Sequence, residues 1–200
     1  MIAVSGSGIA GLAAALAVLR NQKPLLLVAG STPATPVHGG IQIAPNGWAA
    51  LDQLGLGDAA RARANTLQAI TVRDMRSAAT LAGLDLTTSA YASLSRADLV
   101  NLLKAEINAA SGMTHIAANI THVVQRGPAQ GKAVHMLTDD GGRHMVDALV
   151  AADGVSGFGR HYVNGSDQGT HTAPNKGRVA MRAVAKTANL PRIFSQPFCN

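Results

Sequence analysis

The chain has 200 residues, 47% hydrophobic and only 3% aromatic, so we expect one ordinary domain, or one and part of a second, with an aliphatic core. The formal net charge is +6, but the 17 Lys and Arg residues are scattered, which disfavours a nucleic-acid partner and favours either a soluble surface or a field that attracts a small anionic ligand. The single Cys199 excludes an internal disulfide and leaves the redox compartment open. No apolar run is long enough to span a bilayer, so the default expectation is a cytoplasmic protein without membrane insertion.

The first twenty residues predict a strand, a glycine turn and a helix. The apolar run Ile2–Val4 leads into the glycine-rich Gly6–Gly11, and apolar residues then recur at helical spacing to Leu19. This order is typical of the opening of a dinucleotide-binding βαβ unit. The alternative is a secretory signal, but no Lys or Arg precedes the apolar stretch and the stretch is short.

Each glycine of this turn has an expected role. Gly6 allows the tight turn, Gly8 lets a pyrophosphate approach the backbone, and Gly11 lets the helix and strand pack closely. The free N–H groups of the first helical turn, at Ile9 and Ala10, would hold the pyrophosphate at the positive end of the helix dipole.

A second buried strand is predicted at Pro24–Ala29, from its unbroken apolar run. In dinucleotide-binding folds an acidic residue commonly closes this strand and binds the ribose hydroxyls. Here Ala29 occupies that position, so the carboxylate is missing. Ser31 or Thr32 is an alternative ribose ligand, although a simple turn is the plainer interpretation.

The next motif is Gly40-Ile41-Gln42-Ile43-Ala44-Pro45-Asn46, followed by a helix with Trp48 and then Leu54-Gly55-Leu56. It resembles the class A flavoprotein monooxygenases, FAD-dependent aromatic hydroxylases that carry Gly-x-Gly-Ile-x-Leu-x-Pro-Asn and then a helix ending in Leu-Gly-Leu. The glycine spacing differs slightly, because Gly39 and Gly40 are adjacent here. The resemblance implies that Ala29 and Gln42 belong to the FAD site.

A further helix is expected to open at Ser95–Leu99 and to run to about Ala110. Ser95 as the N-cap and Asp98 three residues later form a capping box. By resemblance to the Arg-Ala-Asp-Leu segment of the same flavoenzymes, Arg96 would point at FAD near its phosphates or the flavin. Otherwise Arg96 is a solvated surface charge.

The central part of the chain predicts short strands. Thr66–Arg73 and Thr80–Thr87 form two strands around a polar turn. Ile116–Arg126, Lys132–Asp139 and Arg143–Asp147 look like the antiparallel β-meander of the same flavoproteins. Four histidines here lack metal-ligand spacing, so we expect no metal: His115, His122, His135 and His144.

The last strong motif is a buried strand, Ala148–Ala152, closed by Asp153-Gly154 and followed by Ser156 and Arg160. It resembles the DG motif of the flavoprotein hydroxylases. The resemblance implies that Asp153 and Gly154 lie beside FAD and help to accommodate the reduced nicotinamide. The alternative is an ordinary Asp-Gly turn.

The resemblance implies an α/β fold, namely a Rossmann-like FAD/NAD(P)-binding domain with a parallel sheet and an inserted antiparallel β-meander. We expect residues 1–160 to form this domain, with the strands of 66–90 belonging to the start of the substrate region. Residues 161–200 would form the start of the substrate region, with a strand at Gly177–Val184, and a loose tail from Pro191. The family's third fingerprint, Gly-Asp before a helix with His and Pro, does not occur, so we interpret the chain as partial, completed by a further chain or segment.

Three hypotheses for function follow. By resemblance, the first is an FAD-dependent monooxygenase that hydroxylates a small aromatic substrate with NADH or NADPH and oxygen. The second is a simpler Rossmann reductase, which the β-meander and Asp153-Gly154 disfavour. The third is a degenerate, non-catalytic binding module, which Ala29 favours. The sequence identifies no catalytic base; the loop residue His38 is a candidate, although an exposed loop histidine is the plainer interpretation.

Overall fold

A computed structural model describes residues 1–30, 39–125 and 134–165, together with Gly177. The predictions for Ser31, Thr32, His38, residues 178–184 and the tail lie outside the described residues. The chain divides into two compact units. The first unit is Met1–Thr35 with Val100–Arg178, and the second is Pro36–Leu99 with Val179–Asn200.

Among the described residues, strands and helices alternate early in the chain, and strands predominate later. In chain order these elements are β1 (Ile2–Ser5), α1 (Ile9–Arg20), β2 (Leu25–Val28), β3 (Gly40–Ile43), α2 (Pro45–Gln53), α3 (Gly57–Arg61), β4 (Asn65–Thr66), β5 (Ala69–Arg73), β6 (Thr80–Asp85), β7 (Ala92–Ser95), α4 (Arg96–Ala109), β8 (Met113–Ile116), β9 (Ile120–Gln125), β10 (Val134–Thr138), β11 (Arg143–Val146), β12 (Ala148–Ala151) and α5 (Phe158–Val163).

A four-stranded parallel sheet forms the centre of the first unit, in the order β12–β1–β2–β8. Ile2 of β1 lies opposite both Ala148 and Leu25. The three predicted parallel strands are therefore neighbours, as expected. All four residues of β2 are buried, which explains its unbroken apolar run.

The fourth strand, β8, corrects the sequence interpretation, which began a meander strand at Ile116. In the structure Ile116 ends β8, and β9 begins at Ile120. β8 lies at the edge of the sheet, and its two middle residues, Thr114 and His115, are exposed. It therefore lacks the continuous apolar run by which a buried parallel strand is recognised.

The predicted β-meander is confirmed as a three-stranded antiparallel sheet in the order β11–β10–β9. It packs against the parallel sheet through a shared apolar core. That core joins residues of β1 and β2 with residues of all three meander strands: Ala3, Leu26, Val28, Ile120, Met136 and Val146. The first unit thus has the predicted α/β architecture, with helices and a meander around the parallel sheet.

Helix α1 places its apolar stripe, Leu12, Leu16 and Leu19, in the interior. At its end, Arg20 forms a 2.7 Å ion pair with Glu106 of α4. Both side chains are more than two-fifths exposed, so the pair adds little stability.

The second unit contains an antiparallel sheet, β3–β7–β4, and the paired strands β5 and β6. The predicted strand Thr66–Arg73 is wrong as a single element, because Thr66 pairs with β7 whereas Ala69–Arg73 pairs with β6. Arg61 of α3 joins α2 by two 2.7 Å hydrogen bonds to Asp52 and lies 5.0 Å from the ring centroid of Trp48. The hydrogen bonds to Arg61 lower the pKa of Asp52.

Within the part of the chain that the structure describes, we find no helix with the length and apolar character needed to cross a membrane.

Candidate functional site

A cleft of about 540 Å³ opens in the first unit at the carboxyl ends of the parallel strands. Its walls are the turn after β1, the end of β2, the loop after β8 and the loop after β12. Parallel α/β sheets place their ligands at this edge. Five of the residues singled out from the sequence line this cleft: Gly6, Gly8, Ala29, Asp153 and Gly154.

Two glycines of the first turn are required by close backbone packing. Gly6 has a φ of +98°, and a Cβ added to it would lie 2.3 Å from the carbonyl oxygen of Ala152. A Cβ on Gly11 would lie 2.0 Å from the carbonyl oxygen of Gly6. Both distances are far below van der Waals contact, so the turn fits between β12 and α1 only without side chains at these positions.

Gly8 differs, because a Cβ added to it would meet no atom within 4 Å. It is the N-cap of α1 and provides no side-chain cap, and the first turn of α1 contains no acidic residue. The helix's first backbone hydrogen bond runs from the N–H of Leu12 to the carbonyl of Gly8. The earlier N–H groups, including those of Ile9 and Ala10, therefore lack partners within the helix.

These features make the N-terminus of α1 suitable for an anion. Uncapped N–H groups and the helix dipole both favour negative charge, and the space at Gly8 lets a bulky group approach. Ala10 is exposed and lines a neighbouring cleft of about 500 Å³ together with Asp153 and Gly154. A diphosphate is the ligand chemistry that this arrangement fits.

Asp153 and Gly154 form the turn that leaves β12. Gly154 has a φ of +89°, and no atom lies within 4 Å of an added Cβ. The Asp153 carboxylate accepts a 3.0 Å hydrogen bond from the N–H of Gly159 and so caps α5. A Cβ on Gly157 would lie 2.2 Å from Asp153 Cγ, so the glycine makes room for this carboxylate. The sequence interpretation missed α5, because a helix of six residues with a glycine in its first turn has no strong sequence signal.

The end of β2 is apolar at the position where an acid was expected. Ala29 is buried, and its N–H donates to the carbonyl of Ile116 at 3.0 Å. A polar group approaches from the other wall, because Asn119 Oδ1 would lie 2.5 Å from a Cβ added to Gly30. Asn119 was missed from the sequence, since it follows the unrecognised strand β8. The buried Ser5 hydroxyl also lines the cleft and has no hydrogen-bond partner among the described residues.

Gln42 and Arg96 lie in the second unit, where two of the sequence motifs adjoin. The pairing of β3 with β7 puts Gly40 opposite Ser95, and the N–H of Arg96 donates to the carbonyl of Gly39 at 3.2 Å. Ser95 Oγ accepts a hydrogen bond from the N–H of Asp98 at 3.4 Å, which supports the predicted N-cap. Gln42 is exposed on β3.

Among the residues with described positions, no group of three or more His, Cys, Asp and Glu side chains could hold a metal ion.

Comparisons with known proteins agree with this geometry. No protein-family model matches the chain. The chain is 31% identical over 204 residues to 3-amino-4-hydroxybenzoate 2-monooxygenase PtmB3 of Streptomyces platensis, covering 98% of this chain and 48% of that protein. It is 30% identical over 198 residues to 3-hydroxybenzoate 6-hydroxylase of Polaromonas naphthalenivorans, covering 95% of this chain and 47% of that protein.

A solved structure gives the same result. Klebsiella pneumoniae HpxO, crystallised with FAD and uric acid, matches 83% of this chain and 42% of its own with 25% identity and a TM-score of 0.67. The chain spans about half the length of the curated relatives it matches. In sequence the chain is thus similar to FAD-dependent aromatic hydroxylases and monooxygenases over about half of their length, and in fold it is similar to a protein crystallised with FAD.

Proposed function

We propose that this chain binds FAD and forms the dinucleotide-binding part of an FAD-dependent monooxygenase. The observation that carries the proposal is the uncapped N-terminus of α1, which meets open space at Gly8 beside a cleft at the carboxyl edge of a parallel sheet. The pyrophosphate of FAD would accept hydrogen bonds from the N–H groups of Gly8, Ile9 and Ala10. Gly6 and Gly11 would shape the turn without contacting the cofactor through side chains.

The other site residues are assigned by the same proposal. Asp153 and Gly154 would contact FAD from the β12 side of the cleft, with Asp153 also holding α5 in place. Gln42 and Arg96 keep the cofactor-binding roles that the resemblance implies, since a guanidinium suits a diphosphate. Residues 1–160 would form the FAD-binding part, residues 66–90 the start of the substrate region, and residues 161–200 its continuation and a tail.

For the whole protein we propose hydroxylation of a small aromatic substrate with NADH or NADPH as the reductant. The names of both relatives described above give a hydroxybenzoate as the substrate and hydroxylase or monooxygenase as the activity. Bound FAD would supply the redox and oxygen chemistry, while the protein binds and orients the cofactor and excludes water. We further propose a cytoplasmic location, no nucleic-acid partner, and a further segment or chain that completes the active site.

A non-catalytic FAD-binding module is the second candidate, and Ala29 is the observation that favours it. Without a carboxylate at this position the adenosine end of FAD loses a charged acceptor. A chain that had lost catalysis would still keep the glycine turn for its fold, since Gly6 and Gly11 are required by packing.

The test is to mix the purified chain with excess FAD, remove free cofactor by gel filtration and record the visible absorption spectrum. We expect flavin absorption bands that elute with the protein, and saturable FAD binding by calorimetry. Adding NADH or NADPH anaerobically then separates the two candidates, because bleaching of the bound flavin favours the enzyme. Absence of FAD binding in both assays would refute the proposal.

A further inference from the structure

The loop between β8 and β9 places one side-chain amide at the cleft, opposite the end of β2. Asn119 lines the cleft together with Ala29 and Gly30. Its Oδ1 approaches so closely that a Cβ on Gly30 would lie only 2.5 Å away. The Asn119 amide therefore lies directly against Gly30, in the space that a side chain at this position would occupy.

The orientation of the Asn119 amide is determined by Asp139. Asn119 Nδ2 donates to Asp139 Oδ2 at 2.8 Å, and the Asn119 backbone N–H donates to Asp139 Oδ1 at 2.9 Å. The N–H of Asp139 in turn donates to the Asn119 carbonyl at 2.9 Å. Rotating the amide by half a turn would set Oδ1 against a carboxylate oxygen, which is repulsive. The NH₂ group therefore stays on Asp139, and Oδ1 remains directed toward Gly30 as an acceptor.

The adenosine ribose of a dinucleotide needs an acceptor for its hydroxyl groups at this edge of the sheet. The methyl group of Ala29 cannot accept a hydrogen bond, whereas Asn119 offers an oriented carbonyl on the same cleft. We infer that Asn119 Oδ1 replaces the missing carboxylate and accepts a hydrogen bond from the adenosine ribose of FAD. This inference rests on the proposed function, and it makes a neutral amide the ribose-recognition group.

The test uses ADP, 2′-deoxy-ADP and 3′-deoxy-ADP as probes, with binding measured by calorimetry or by ligand-detected NMR. A hydrogen bond between neutral groups contributes about 0.5–1.5 kcal/mol, so the chain should prefer ADP over at least one deoxy analogue by about 3- to 10-fold. The Asn119→Ala variant should bind ADP and that deoxy analogue with affinities that are equal within about 2-fold.

The matched control is Asn21→Ala, which removes a side-chain amide from the C-cap of α1 in the same unit. It should keep the preference for ADP. If Asn119→Ala merely disturbed the fold, it would bind ADP and both deoxy analogues more weakly by the same factor, and the preference for ADP would survive. That result would overturn the inference.

A second variant tests whether the two positions are interchangeable. Adding Ala29→Glu to Asn119→Ala should restore the discrimination against the deoxy analogues, and it should tighten ADP more in that background than in the wild type. Equal effects in both backgrounds would mean that the two side chains do not serve the same ribose, contrary to the inference. If the wild type binds neither ADP nor FAD, the proposed function itself fails. If it binds both without sensing the ribose hydroxyls, only the inference fails.

Discussion

Glycine has two separable roles in the turn between β1 and α1. At Gly6 and Gly11 the neighbouring backbone occupies the space of a side chain, so these residues maintain the fold. At Gly8 the space is open and the backbone conformation is an ordinary extended one, with φ of −74°. The fold therefore does not require glycine at position 8, and the proposed pyrophosphate would supply the physical reason to have it there.

We expect Gly8→Val to abolish FAD binding while costing little stability. The new side chain would project into the open space at the N-terminus of α1, where we propose that the pyrophosphate binds. Valine is a poorer N-cap than glycine, so the loss of unfolding free energy should be about 1 kcal/mol or less. FAD titration by flavin fluorescence and thermal unfolding measure the two effects separately.

Gly83→Val is the matched control. Gly83 lies in β6, does not line the cleft, and likewise has no atom within 4 Å of an added Cβ. This variant adds the same side chain and should retain wild-type FAD affinity. Equal FAD affinity for Gly8→Val and Gly83→Val would show that the pyrophosphate does not lie on the glycine turn.

At the scale of single elements, the Asp153 carboxylate caps α5, and the same residue lines the cleft. Asp153 accepts the Gly159 N–H, and Phe158 packs against the core shared by the parallel sheet and the meander. A Cβ on Gly159 would lie 2.2 Å from the Ala151 Cβ, so α5 lies directly against β12. The position of α5 therefore depends on Asp153 as well as on packing.

Asp153→Ala should lower the unfolding free energy by about 0.5–2 kcal/mol, as for the loss of a helix cap. Asp153→Asn retains an acceptor oxygen and should stay closer to the wild type in thermal unfolding. Because Asn removes the charge but keeps the cap, its FAD affinity reports on the charge alone. If Ala and Asn variants were equally destabilised, the hydrogen bond to Gly159 would not be the stabilising contact.

The contact between the β8–β9 loop and the end of β10 should stabilise the protein less at acidic pH than at neutral pH. The N–H groups of Asn119 donate hydrogen bonds to the Asp139 carboxylate and lower its pKa, against the smaller opposing effects of desolvation and of the Asp140 charge. Because the pKa of Asp139 is lower in the folded than in the unfolded protein, the stabilisation is fully present above the unfolded-state pKa of about 3.9. The stabilisation is lost as the pH falls through the lower folded-state pKa. Near neutral pH the contact is therefore intact.

The measurement is thermal unfolding of the wild type and of Asp139→Asn between neutral pH and about pH 3. The wild type should be the more stable at neutral pH, and the difference should shrink in acid. A difference that is independent of pH would show that the charge of Asp139 does not stabilise this contact.

The elements differ in how far the sequence determined them. The unbroken apolar run of β2 and the spaced leucines of α1 each reflect burial on a sheet or helix face, so they were predicted correctly. β8 was not, because an exposed edge strand has no such run. Asn119 could not be found either, since its role follows from the tertiary contact with Asp139, twenty residues further along the chain.

At the scale of the whole molecule, an oxygen-transferring flavoenzyme needs a closed, largely dry pocket around the reacting groups. The cleft described here is open and lies at the dinucleotide end of the proposed site. The 200 residues also span only about half the length of the curated relatives they match. Cofactor binding and substrate hydroxylation should therefore be separable properties.

We expect these 200 residues by themselves, with FAD bound, not to hydroxylate an aromatic substrate. Oxidation of NADH or NADPH should be slow and should end in hydrogen peroxide, because water reaches the flavin. The assay incubates the chain with FAD, reduced nicotinamide and a panel of hydroxybenzoates, and follows products by mass spectrometry and peroxide by a coupled colour reaction. Stoichiometric hydroxylated product would show that these residues already contain a complete active site.

The central position of β1 has a consequence for how the protein is made. Its first residue, Ile2, pairs with Leu25 on one side but with Ala148 on the other. During synthesis, β1 and β2 leave the ribosome before β12, so one edge of β1 stays unpaired until β12 has been translated. Closing so long a loop costs entropy before any contact compensates for it, which slows folding and exposes a strand edge to other chains. Nascent chains that stall before β12 should therefore depend on chaperones, whereas chains that have passed it should not.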